Sequence, residues 1–116
     1  MYDKLRVFEA FAGYGGASFG LKKSGIPHKV IGYSEFDKFA SEIFEINHPG
    51  IKNFGDITKI EPTDLPNFDM FTGGFPCQPF SSAGLGQGEL DIRGTLFYDI
   101  IRICEVKKPK HLLLEN

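Results

Sequence analysis

The stretch "LRVFEAFAGYGGASFGLKK", residues 5–23, decides the fold. Residues 5–11 are rich in apolar side chains and read as a strand. The turn Ala12-Gly13-Tyr14-Gly15-Gly16 follows. Residues 17–23 then read as a helix, which ends near Gly25 and Pro27. A glycine turn between a strand and a helix lets a ligand approach the backbone closely at the helix start. It serves equally well to shape a tight connection. A dinucleotide fingerprint G-x-G-x-x-G counted from Gly13 requires glycine at position 18, where Ser18 stands.

Outward from this unit, apolar runs alternate with amphipathic stretches. Residues 29–33 form a second strand. Residues 37–47 form a helix with Phe39, Ile43, Phe44 and Ile46 on its apolar side, and His48-Pro49-Gly50 stops it. A short strand is expected at 51–54 and a longer one at 68–72. A loop with four glycines at 84–94 reads as mobile. Residues 95–106 form a helix with Leu96, Ile100, Ile103 and Cys104 on one side, and 110–114 a last strand. The alternation predicts an α/β domain over residues 1–116, a mostly parallel sheet with helices on both faces and right-handed crossovers.

Composition narrows the function classes. The 116 residues are 41% apolar and 24% charged with a net charge of −2, which suits a globular domain and not a basic nucleic-acid module. There is no run of 18 apolar residues and no apolar signal segment after Met1. Cys77 and Cys104 are too few and too far apart for a disulfide framework or a C-x-x-C site. His28, His48 and His111 lack metal-ligand spacing, so no metal is expected. A reducing, cytoplasmic setting is expected.

In open parallel sheets, ligands bind beyond the carboxyl ends of the strands. The glycine turn, Glu35 after the second strand, Asp56, and the loop after 68–72 all fall at that edge. Glu35 is either a solvated charge or an acceptor for ribose hydroxyls. Phe36 is either core or a surface for an adenine ring. Asp56 is either a turn cap or an acceptor for an adenine amino group. The three together suit a nucleoside ligand without a pyrophosphate.

At the same edge lies "GGFPCQPFSS", residues 73–82. Glycine and proline on both sides present Cys77 from a loop rather than hide it in a core. Glu115 closes the last apolar strand, either as an exposed strand-end charge or as an acid near Cys77. Asn116 either holds the Cys77 loop or is an ordinary turn residue. A thiolate beside a carboxyl group suits methylation at C5 of cytosine. Addition to C6 makes C5 an enamine-like carbon, able to attack a methyl group on a sulfonium. A proton donor at N3 eases the addition, and loss of the C5 proton with expulsion of the thiolate ends the cycle.

These residues resemble the catalytic part of C5-cytosine-specific DNA methyltransferases of bacterial restriction–modification systems. "FAGYGG" at 11–16, "SEFD" at 34–37 and "GDI" at 55–57 look like the family's cofactor motifs. "GFPCQPFS" at 74–81 resembles its nucleophile motif, "RGTLF" at 93–97 the next, and "EN" at 115–116 opens the last. The resemblance implies a Rossmann-like methyltransferase fold, incomplete at its C-terminal end, with S-adenosylmethionine as cofactor and a flipped-out cytosine in duplex DNA as substrate. It implies Cys77 as nucleophile and Glu115 as its N3 partner. Cofactor contacts are implied for Phe11, Ala12, Gly13, Tyr14, Gly16, Ser34, Glu35, Phe36, Asp56, Ile57, Gly74, Pro76 and Leu96. Gln78 and Ser81, with Asn116, would belong to the loop that meets DNA. Phe36 stands where the family often has tryptophan.

Family members continue past the equivalent of Asn116 with an arginine-bearing motif, a target-recognition domain and a segment that completes the cofactor pocket. Between Gly74 and Ile100 this chain sets Glu89, Asp91 and Asp99 against Arg93 alone. Its basic cluster is Arg102, Lys107, Lys108, Lys110 and His111. The expectation is one part of a larger or split enzyme, completed by a second polypeptide or a further segment. The alternatives are a cofactor-binding or partner-docking module without turnover, and a relative acting on RNA cytosine. RNA-acting relatives usually carry a second proline in place of Phe75, which favours DNA.

Overall fold

Phe8 is completely buried, and the rings of Phe68, Phe71 and Phe54 lie 5.5, 5.9 and 6.0 Å from it, centre to centre. Around this cluster the computed structural model describes residues 4–74 and 87–115, with the backbone alone along 87–95. The elements are β1 (Leu5–Ala10), α1 (Gly16–Ser24), β2 (His28–Ser34), α2 (Lys38–Asn47), two single 3-10 turns (Ile57–Lys59 and Pro62–Asp64), β3 (Met70–Gly74), α3 (Gln87–Lys107) and β4 (His111–Glu115). The strands form one parallel sheet in the order β2-β1-β3-β4.

Residues paired in register share a sheet face. Phe8 pairs with Gly32 and Phe71, and Phe71 with Leu112. On this face α3 brings Ile100 and Ile103 into the core with Ile57, Ile60 and Leu65. Glu9 pairs with Tyr33 and Thr72 on the opposite face. There Ser18 of α1 bonds Glu9, and Phe44 of α2 stacks on Tyr33 at 3.6 Å between ring centres. Helices therefore cover both faces, as the alternation of elements predicts. Each fully buried phenylalanine stabilises the fold by about 1.5–3 kcal/mol relative to exposure.

Besides shifts of a single residue at other ends, four elements depart from the sequence reading in ways that have a physical cause. β1 stops at Ala10 because Phe11 takes a left-handed conformation, φ 51°, that turns the chain out of the sheet. The expected strand at 51–54 reduces to a single bridge between Asn53 and Tyr33. Its side chain and the backbone beside it are spent on closing a turn rather than extending a ladder. β3 begins at Met70, two residues later than expected, and leaves Phe68 as a core residue ahead of it. α3 begins at Gln87, so residues 87–94 of the expected mobile loop are helical. Glu89, Leu90 and Arg93 are strong helix formers, and the glycines at 88 and 94 cost only about 1 kcal/mol each. Residues 84–86 lie outside the described residues.

Arg102, expected in a basic cluster, instead staples α3 to the first 3-10 turn and to Ile60 just after it. Its Nη1 donates to the Ile60 carbonyl at 2.7 Å and its Nη2 to the Ile57 carbonyl at 3.0 Å. Nε and Nη2 also donate to Asp99 Oδ1 at 3.1 and 3.0 Å. Arg102→Ala orphans two carbonyls and the Asp99 carboxylate, so it should lower stability by about 2–3 kcal/mol. A urea midpoint equal to that of the native chain, at equal slope, would contradict this role.

Candidate functional site

The chain leaves β1 for β2 on one side and returns to β3 on the other, so the crevice between β1 and β3 at their carboxyl ends is the topological switch point. Two clefts meet there at Phe11. One, of about 280 Å³, is lined by Phe11, Ser34, Glu35, Phe36, Asp56, Ile57 and Leu96. The other, of about 550 Å³, holds Phe11, Ala12, Gly13, Tyr14, Gly16, Gly74 and Glu115, with Glu9 and Thr72 at its base. The structure thus brings together every site residue predicted by the sequence that falls in the described region. Pro76, Cys77, Gln78, Ser81 and Asn116 lie outside the described residues.

The glycine turn is held from two sides. The Ala12 amide donates to the Ser34 carbonyl at 3.2 Å, and the Gly13 amide to Glu35 Oε1 at 2.8 Å. From the other side, Asn47 Nδ2 donates to the Tyr14 carbonyl at 3.0 Å, and His48 Nε2 lies 3.3 Å from the Gly15 carbonyl. Burial keeps the His48 imidazole below its ordinary pKa. Gly15 has φ 95°, and a Cβ there would run into the His48 ring. Gly13 has φ 56° and faces open space.

Glu35 is fixed before any ligand arrives. Its Oε2 accepts from the Asp37 amide at 3.0 Å, and Asn53 brackets its backbone, accepting from the Glu35 amide at 3.1 Å and donating to the carbonyl at 2.9 Å. A carboxylate offers about four lone-pair positions, and two backbone donors leave two free for a ligand. Phe36 stands 79% exposed at the mouth of the cleft, a flat apolar surface left open by the described residues. Asp56 is the turn cap that one of its sequence readings expects. It caps a 3-10 turn, with Oδ1 accepting from the Thr58 amide and hydroxyl at 2.9 and 2.8 Å, and it lines the cleft. Those two donors hold its pKa below the usual carboxylate value.

At the chemical end, Gly74 is the register partner of Glu115. A Cβ on Gly74 would come within 3.1 Å of Glu115 Oε1, so glycine leaves room for the carboxylate. Cys104 packs against the core, and burial pushes its thiol up to about 11, which keeps it protonated at neutral pH. Sequence reasoning missed Asn53, His48, Thr72 and Glu9. Only Glu9 carried a signal, as an acid inside an apolar strand. Among the described residues no three His, Cys, Asp or Glu side chains form a metal-binding group, and no helix is long and apolar enough to cross a membrane.

The model of the C-5 cytosine-specific DNA methylase family matches residues 5–116. Type II methyltransferase M.HaeII of Haemophilus aegyptius is 49% identical over 113 residues, and M.NlaX of Neisseria lactamica 45% over 112. Both alignments take in 97% of this chain but 35% and 36% of the relatives, so the chain spans about a third of their length. The crystal structure of S. pombe Dnmt2 methyltransferase shares the fold, with a TM-score of 0.74 at 24% identity, covering 97% of this chain and 34% of that one.

Asn53→Ala removes both brackets on Glu35 and the acceptor for the Gly55 amide, which lies 2.9 Å from Asn53 Oδ1. It should cost about 1–3 kcal/mol of stability. It should also broaden or shift the Gly13 amide resonance, because Glu35 Oε1 would no longer be fixed beneath it. An unmoved Gly13 signal would show that Asn53 does not position the carboxylate.

Proposed function

Since the chain belongs to the C-5 cytosine-specific DNA methylase family, we propose that it is the cofactor-binding and nucleophile-bearing part of a DNA (cytosine-5-)-methyltransferase. It acts as part of a larger or split enzyme on a cytosine flipped out of duplex DNA. One observation carries this reading. The nucleoside-sized cleft around Glu35 and the strand end bearing Gly74 and Glu115 meet at Phe11, at the carboxyl edge where open parallel sheets bind ligands.

S-adenosylmethionine fits the chemistry of the donors: an anchored carboxylate with two acceptor positions left, an exposed ring at Phe36 and a second acid at Asp56. When bound, it supplies a methyl group on a sulfonium. Glu35 accepts from the ribose hydroxyls, Phe36 lies against the adenine ring, and Asp56 accepts from the adenine amino group. Phe11, Ala12, Gly13, Tyr14, Gly16, Ser34, Ile57, Gly74, Pro76 and Leu96 complete the pocket. Cys77 follows Gly74 by three residues, a chain reach of about 11 Å at most from the strand end beside Glu115. Its thiolate adds to C6 of the cytosine while Glu115 gives a proton to N3. With the cofactor bound to supply the methyl group, C5 would take it; a water would remove the C5 proton as the C6–S bond breaks and the thiolate leaves, and N3 would return its proton to the Glu115 carboxylate. Gln78, Ser81 and Asn116 serve the loop that meets DNA.

β4 is the edge strand among the described residues, and its Leu112 and Leu113, on opposite faces, are 53% and 54% exposed. A completing polypeptide segment covers this edge and brings the target-recognition region.

The test uses the chain together with its completing polypeptide, labelled S-adenosylmethionine and duplex DNA. Methyl transfer is expected in the mixture, and a 5-fluorocytosine duplex should leave a permanent adduct on Cys77. Cys77→Ser should abolish turnover while cofactor affinity stays within about twofold, since it removes only the thiolate. An adduct mapped elsewhere, or full activity in the serine variant, overturns the nucleophile assignment. Glu35→Ala should weaken cofactor binding by about 1–3 kcal/mol, and an unchanged dissociation constant removes Glu35 from the pocket.

A further inference from the structure

The apolar side of an amphipathic helix normally faces the core, and the sequence gives α2 such a side in Phe39, Ile43, Phe44 and Ile46. Of these, Phe44 alone is buried, its ring stacked on Tyr33. Phe39, Ile43 and Ile46 face outward and stand 74%, 48% and 78% exposed. Steps of four and then three residues set them in one stripe along the helix. A lone exposed apolar side chain needs no explanation, whereas a contiguous stripe of large ones marks a contact surface.

The charges beside the stripe say what fits it. At about 100° per residue, Lys38, Glu42 and Glu45 fall on one side of it, and all three are exposed. Among the described residues none of them makes an ion pair. Glu45 Oε2 accepts from the Gly50 amide at 3.2 Å, which leaves its other lone pairs open. Ala40 and Asn47, half-buried, border the stripe on the side toward the body of the chain. A second α2 laid antiparallel along the stripe brings like flanks together. Lys38 at the start of one helix then lies opposite Glu45 near the end of the other, twice by symmetry. The two helix dipoles also run head to tail. A parallel pair would set lysine against lysine and glutamate against glutamate. Glu42, near the middle of the helix, meets its own copy and is the like-charge contact of the antiparallel pair.

We infer that α2 is a self-association surface: two copies of this chain pair about a two-fold axis through antiparallel α2 helices, with Phe39 of each against Ile46 of the other and Ile43 at the axis. With the flanking residues counted, the contact buries on the order of 1,000 Å² in total, the lower limit for a specific interface, so the dimer is weak and concentration-dependent. α2 packs on β2, at the opposite end of the sheet from β4. The pairing therefore leaves the edge of β4 free.

Sedimentation velocity of the chain over a concentration series tests it. The chain should pass from monomer to dimer as concentration rises, with no larger species. Ile46→Lys, at a side chain outside the core, should weaken association about tenfold or more, because it puts an unpaired charge into an apolar contact. It should keep the native circular dichroism spectrum, and Phe39→Ser carries the same expectation if it does not fold. Lys38→Glu should weaken association about threefold, the scale of exposed ion pairs, and adding Glu45→Lys should restore it. Glu42→Gln should tighten the dimer. Lys59→Glu, an equal change of charge at an exposed position away from α2, should leave it unmoved. A chain that stays monomeric throughout the series overturns the proposal, and so does a dimer that Ile46→Lys leaves at native strength. A dimer indifferent to both Lys38→Glu and Glu42→Gln overturns the antiparallel pairing. A monomeric chain that instead holds its completing polypeptide through Phe39 and Ile46 overturns it too.

Discussion

The Phe8 ring has no exposed surface and touches aromatic neighbours contributed from β3, from the segment ahead of it, and from beyond α2. It can do so only if β1 is central, with β2 on one side and β3 on the other. Gly32 beside it shows how tight the arrangement is, because a Cβ there would come within 2.7 Å of the Phe54 ring. Once β1 is central, the turn that follows it must open at the switch point of the sheet. The strand period does the rest. Burying Phe8 under α3 sends Glu9 to the other face, where only a helix start with free amides makes a buried carboxylate tolerable. Burial raises the Glu9 pKa, and the Ser18 hydroxyl and the Ala17 and Ser18 backbone pull it down, with burial the larger effect. The same packing decision therefore makes both the core and the polar floor of the cleft.

Around that floor the turn is braced by residues distant in sequence. Glu35 sits beneath the Gly13 amide, and Asn47 and His48 lie against the Tyr14 and Gly15 carbonyls. Asn53 locks Glu35 by its backbone rather than by its carboxylate. This division matters for binding, since the carboxylate keeps acceptor positions for a ligand while its direction is set by others. Arg102 extends the brace to Ile57, which borders the cleft next to Asp56. A site preorganised in this way loses little entropy when a ligand arrives.

The fold was largely legible because its two periods are clean. Residues 5–11 and 110–114 could be read as strands, and the apolar side of 95–106 carries Ile100 and Ile103 into the core as expected. What escaped was set by tertiary contacts. Residues 51–54 look like a strand, yet Asn53 closes a turn with its side chain. The glycines at 88 and 94 look like loop punctuation, yet α3 runs through them. Arg102 looks like a free cation, yet it is bound to carbonyls 42 and 45 residues away in sequence. In the site, the chemistry-bearing residue types were visible, as Glu35, Phe36 and Asp56 show. The residues that hold them were not, because Asn53 and His48 act through the backbone and belong to no pattern.

The two ends of the proposed site differ in how well they are supported. The nucleoside end rests on β1 and β2, which are covered by helices on the Tyr33 face and by the aromatic core on the other. The chemical end rests on β4, whose leucines on both faces give it the pattern of a strand buried on both sides, although among the described residues it is an edge. Glu115 takes its position from this strand alone, through its pairing with Gly74. A proton donor must be held within hydrogen-bond reach of its target throughout attack. An edge strand with half-exposed leucines is held on one side only, and strand edges are where sheets open first. In the proposed reading, cofactor affinity therefore belongs to strands that are already braced here, whereas the geometry of proton transfer depends on whatever covers β4. The proposed site thus divides binding from chemistry along the line between the second and fourth strands.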